Sequence, residues 1–207
     1  MDCISFGLER EERIRGFVCV FPYLTTSVIL RQHFCGRSAY RKCAQVLQRM
    51  VKKGLLNRFK HGHEYVYHIG KKTTQWLHTH MVTMFYFELM DYLQESYKIF
   101  YYKRELEYLN GRADGFYIIT TNKGNGVKFF LEYDDMRNEF DKTQKYEEYF
   151  KSMLWKQEWW ADPFKKGIYS FPIVLVVTTR SVPNSNIIKL VTCKPGENYM
   201  EALLNGK

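Results

Sequence analysis

The chain has 207 residues, 45% hydrophobic and 17% aromatic, enough for a sizeable core, and this excludes a disordered chain. No apolar run reaches about 18 residues, which excludes a membrane-spanning helix. The net charge of +9 is unevenly placed: residues 1–73 carry 14 Lys/Arg against 5 Asp/Glu, whereas residues 74–207 carry 17 of each. Such segregation predicts two parts, the first facing a polyanion, and argues against a pure protein adaptor. Met1-Asp2-Cys3 opens neither a basic nor an apolar leader, so no secretory signal is expected. The cysteines at 3, 19, 35, 43 and 193 form no CxxC pair, so they read as reduced thiols of a cytoplasmic protein.

Leu8 to Phe21 has helical composition, with Leu8, Ile14, Phe17 and Val18 as its apolar stripe. Pro22 ends it. Thr25 and Thr26 are caps for a short helix over Ser27–Phe34. Ser38 caps a third helix, Ala39 to Lys53, closed by Gly54. Its predicted core face is Tyr40, Cys43, Leu47, Met50 and Gly54. The opposite face carries Arg41, Gln45, Gln48, Arg49 and Lys52, residue types suited to phosphates and base edges. The period then changes to two. Leu55–Lys60 and Glu64–Ile69 flank a turn at His61-Gly62-His63, which reads as a hairpin. Three helices followed by a hairpin is the order of a winged helix-turn-helix module, assigned to residues 1–72. Its predicted partner is double-stranded DNA. Arg37, Arg41, Gln45, Gln48, Arg49 and Lys52 would serve the major groove, and Lys60, His61 and His63 would sit at the wing tip. The two histidines read as plain turn residues rather than metal ligands.

Residues 73–110 form a connector. Gln75 to Tyr97 lacks Gly and Pro and is apolar nearly all round, so it predicts one long helix buried on several sides or forming a homodimer contact. Lys98 to Leu109 adds a strand. Residues 111–207 then read strand (Phe116–Thr120), turn at Gly124-Asn125-Gly126, strand (Val127–Tyr133), helix (about 138–155) and strand (Phe171–Thr178). The last run is apolar throughout, as for a strand buried on both faces. A helical segment is predicted from Pro183 through Leu190, and a last helix or tail over Tyr199–Leu204. The fold class is therefore α+β or α/β: a winged helix followed by a mixed sheet flanked by helices.

Asp114, Glu132 and Asp134 fall at strand positions otherwise rich in apolar residues. An unpaired buried carboxylate is costly, so these acids need a reason. One reason is a divalent metal, Mg2+ or Mn2+, held by oxygen ligands. The other is pairing with Lys142 or Lys145 on the following helix.

An Asp on one strand, an acid on the next and a cation from the helix behind resemble the core of PD-(D/E)xK restriction-endonuclease-like proteins. The usual strand Lys is replaced here by Asp134. The whole order resembles the replication-relaxation family: winged helix, Arg-Ala-Asp-Gly, Phe-Phe-Leu-Glu-Tyr-Asp, Lys142-Thr-Gln-Lys145-Tyr-Glu-Glu-Tyr149 and Phe-Pro-Ile-Val-Leu-Val-Val-Thr-Thr. That resemblance implies a DNA-binding protein of a plasmid or mobile element, acting in replication or mobilisation with other proteins of that process. It also implies a metal-dependent nickase or endonuclease using Asp114, Glu132 and Asp134 as acids, with Lys145 ahead of Lys142 as the cation. The alternative is a catalytically inert DNA-binding accessory or regulator that keeps the nuclease-like part as scaffold or dimer surface.

Overall fold

The computed structural model describes residues 3–93, 95, 97–121, 125–136, 140–163 and 165–205, with side chains from Leu8 onward. The protein is mixed α and β and divides into two units, Met1–Phe87 and Glu88–Lys207.

In unit 1, α1 (Cys3–Val20) buries Ile14 and Val18. Thr25 caps α2 (Thr26–His33), its hydroxyl accepting from Val28 N at 3.4 Å. α3 (Ala39–Lys52) buries Cys43, Val46, Leu47 and Met50. It ends at Gly54 with φ +69°, where Leu55 N donates to Met50 O at 2.9 Å and Gly54 N to Val51 O at 3.0 Å. A left-handed residue at that place favours glycine, and the two bonds satisfy carbonyls the helix leaves open. β2 (Asn57–His61) and β3 (Glu64–His68) form the hairpin. A two-residue strand that the sequence did not announce, β1 (Leu24–Thr25), pairs antiparallel with β3, giving the order β1-β3-β2. Ile14, Leu24, Ile29, Leu47, Met50 and Leu56 sit at the centre of this unit's core.

The boundary between the units falls inside α4 (Trp76–Tyr92), which is shorter than the predicted Gln75–Tyr97 because Tyr97 already begins β4 (Tyr97–Tyr108). β4, β5 (Gly111–Thr121) and β6 (Gly126–Tyr133) are antiparallel neighbours. α5 (Lys142–Ser152) then crosses to β7 (Ile173–Val177), parallel to β6, and β8 (Leu190–Cys193) lies parallel to β7. The five-stranded order is β4-β5-β6-β7-β8. A helix between parallel strands is what that connection requires. α6 (Tyr199–Asn205) follows.

Two predicted segments change. Pro183 to Lys189 contains no helix and leads instead into β8. The predicted start of α5 near residue 138 and the turn residue Gly124 lie outside the described residues. Gly126 opens β6 because a Cβ there would lie 2.0 Å from Ile119 O, inside the β5 backbone it pairs with.

Candidate functional site

The acidic centre of unit 2 follows from strand register. Gly115 pairs with Leu131, so Asp114 and Glu132, one step further along, stand opposite each other on one face. Like charges directly opposite repel. α5 relieves this repulsion. Lys142 and Tyr146 are four apart on one helical face, and both reach Glu132. The Lys142 ammonium donates to Glu132 Oε2 and lies 3.7 Å from Asp114 Oδ1. Tyr146 donates to Glu132 Oε1 at 2.5 Å. Asp114 Oδ2 accepts from Tyr133 N at 2.8 Å. Behind the cluster, Tyr108 stacks on Tyr146 and Tyr149, with centroids 4.6 and 5.3 Å apart. The Tyr108 ring lies so close over Gly111 that a Cβ there would sit 2.6 Å from it.

Glu132 is 1% exposed. Burial first, and Asp114 next, push its carboxyl up to about 8, while Lys142 and Tyr146 pull the other way. For Lys142, burial would lower the value, but Glu132 and Asp114 outweigh it and raise it. Burial thus favours the protonated form of the Glu132 carboxyl, and the neighbouring acids favour the charged form of Lys142.

Of the predicted acids, Asp134 stands apart from this pair. It follows the last residue of β6, so the alternation that would align it with Glu132 no longer holds. Arg180 grips it with Nε at 2.6 Å and Nη2 at 2.7 Å, and the Thr178 hydroxyl donates at 2.7 Å. Burial raises its carboxyl, but Thr178, Arg180 and the Met136 amide together bring it below the usual carboxylate range. Lys145 also stands apart: its ammonium lies 3.1 Å from Asp141 Oδ2 at the surface. The lysine between the strand acids is Lys142.

A hard divalent cation takes six or more oxygen ligands, ionised carboxylates foremost. Here Glu132 is engaged by an ammonium and a phenol, Asp114 by an amide, and Asp134 by a guanidinium. Among the described residues no group of three or more His, Cys, Asp or Glu gathers to hold a metal ion. Lys142 thus stands beside the two carboxylates that a cation would bind.

Glu132 makes a pH prediction. Its carboxyl is raised when folded, so its contribution is most favourable below the unfolded value of 4.5 and is lost as pH rises through about 8. Glu132→Gln has no such loss. In urea unfolding, the variant should gain on the native chain by on the order of a few kcal/mol between acid and mildly alkaline pH. A constant difference across that range would mean that the carboxyl is ionised throughout.

The second candidate site is the outward face of α3. Arg41, Gln45, Gln48 and Lys52 are exposed there, opposite the buried Cys43, Val46, Leu47 and Met50. Arg37 precedes it, also exposed, and Lys60, His61 and His63 are exposed at the hairpin tip. Tyr40, predicted to face the core, is instead 70% exposed, because the first turn of α3 overhangs the packed stripe. Arg49 is diverted. Its Nε lies 2.5 Å from Glu11 Oε1, and Lys53 Nζ lies 2.9 Å from Glu11 Oε2. Glu11 is 4% exposed. Burial raises its carboxyl, but Lys53 and Arg49 outweigh that and hold it below the usual carboxylate range. Sequence reasoning missed Glu11 and Arg180. Each meets its partner from 38 and 46 residues away, with no local pattern to announce it.

No protein-family model matches the chain, and no curated protein and no solved structure is found similar to it. No helix among the described residues is long and apolar enough to cross a membrane.

Proposed function

We propose that the chain is a duplex-DNA-binding accessory protein of the replication-relaxation kind, serving a plasmid or other mobile element. Unit 1 acts as a winged helix-turn-helix. α3 enters the major groove, with Arg41 and Lys52 toward phosphates and Gln45 and Gln48 toward base edges. The hairpin tip at Lys60, His61 and His63 lies against the backbone. The observation that carries this reading is the division of α3: one face sealed into the core, the other presenting Arg, Gln and Lys to water. The sheet order β1-β3-β2 supports it, since it places the hairpin at the end of the unit's sheet.

Unit 2 serves in this reading as a restriction-endonuclease-like scaffold rather than a cutter. Lys142 supplies within the fold the positive charge that a metal would bring to Asp114 and Glu132. A metal-dependent nickase is the second reading, favoured by the cross-strand placement of those two acids. Incubation with supercoiled plasmid separates the two readings. The protein should retard the plasmid and leave it supercoiled with Mg2+ or Mn2+ present. Relaxation that disappears in Asp114→Ala would establish the nickase instead.

A further inference from the structure

In unit 2, the segment from Lys151 to Ser170 exposes aromatic rings and lysines close together in sequence. Trp159 is 50% exposed and Tyr169 is 54% exposed. Lys151, Lys156, Lys165 and Lys166 are exposed along the same segment. Large aromatic rings left in water invite a partner when they sit among cations.

Hydrogen bonds pin several described residues of the segment. Lys128 Nζ, half-buried, donates to the carbonyls of Trp160 at 2.8 Å and Ala161 at 2.6 Å. Ser170 N reaches back to Ala161 O at 3.4 Å. Asp162 accepts from the backbone amides of Lys166 at 2.9 Å and Gly167 at 2.6 Å. Trp160 is buried against Phe116 and Phe130, which anchors the base of the loop. Tyr101 braces Trp159 edge-on, with centroids 4.7 Å apart. Trp159 and Tyr169 flank the Ala161–Ser170 contact, two residues away on one side and one on the other. They are therefore within about 15 Å of each other along the backbone path. Among the described residues of the segment, Glu158 is exposed and the Asp162 carboxylate accepts from the loop's own amides, set against four exposed lysines. Beside the loop lies a cleft of about 420 Å³, with Ile118, Val127 and Ile168 as apolar walls and Asn125, Lys128 and Lys166 as polar ones.

We infer that this segment is a second nucleic-acid surface, one that binds single-stranded nucleic acid by stacking bases on Trp159 and Tyr169 and pairing phosphates with the lysines. Duplex DNA keeps its bases stacked inside the helix and offers these rings nothing, whereas a single strand offers a π-face with every base. The hydrogen bonds at Trp160, Ala161 and Ser170 lower the ordering cost of binding beside them. The site belongs to unit 2 and α3 to unit 1, and the inference does not depend on the α3 reading.

The test is tryptophan fluorescence of the full chain titrated with oligodeoxythymidylate. Binding should quench the signal. Trp159→Phe should remove most of the quench and weaken binding about tenfold, the range of one stacked base. Lys165→Glu with Lys166→Glu should weaken binding and reduce its salt dependence. A chain with Arg41, Gln48 and Lys52 changed to Ala should still bind the oligonucleotide. Absence of quenching, an unaffected Trp159→Phe chain, loss in the α3 variant, or displacement by duplex DNA would each overturn the inference. The duplex reading stands or falls by the α3 variant's duplex binding alone.

Discussion

Lys142→Met is expected to cost the fold about 3 kcal/mol or more when measured near pH 9, by denaturant midpoint. Above the shifted value of Glu132 its carboxyl is ionised, and the lysine is the cation that both strand acids face. Methionine keeps the stem and removes the charge, so the loss reports electrostatics rather than packing. The acid pair would then stand opposite each other with Tyr146 as the remaining donor to Glu132. Glu132→Gln in the same chain should restore more than half of the loss, because it removes the stranded charge and keeps the shape. Equal stability of Lys142→Met and the native chain would show that the cluster is solvated and weak. Failure of the second change to rescue would show that the loss does not come from a stranded Glu132 charge.

The second large effect concerns α3. Changing Arg41, Gln48 and Lys52 to Ala should weaken duplex binding about a hundredfold at physiological salt and lower the salt slope by about 2. Glu11→Gln should act in the opposite sense. It neutralises the buried acid that holds Arg49 and Lys53, and both cations become available to phosphates. The slope should steepen, by up to about 2. In the proposed reading, Glu11 sets how far along the helix the charge available to DNA extends. If the Glu11 variant binds with an unchanged slope, Arg49 and Lys53 already contact DNA and the diversion has no consequence.

Much of the architecture can be read locally. The caps at Thr25 and Gly54, the hairpin over residues 57–68 and the apolar run of β7 follow from residue type and period. So does the meeting of Asp114 and Glu132, because few residues separate β5 from β6 and the two strands pair in antiparallel register. The rest turns on where elements end and on distant partners. Asp134 reads as a third converging acid only if the strand continues, and β6 stops at Tyr133. Choosing Lys142 over Lys145 needs the rotation of α5 about its axis, which packing of Tyr146 and Tyr149 sets. Tyr40 fits the three-and-four spacing of the core face yet is exposed in the first turn of α3. β8 is four residues long, and its partner β7 lies across an irregular stretch that carries no strand pattern.

The account rests on the basic first unit gripping duplex phosphates. Titrating the full chain against a labelled duplex across a salt series, by fluorescence anisotropy, tests that most directly. The logarithm of the affinity should fall linearly with the logarithm of salt, at a slope of about −3 to −5 for the cations on α3 and the hairpin tip. Absence of duplex binding at low salt, or binding indifferent to salt, would contradict it.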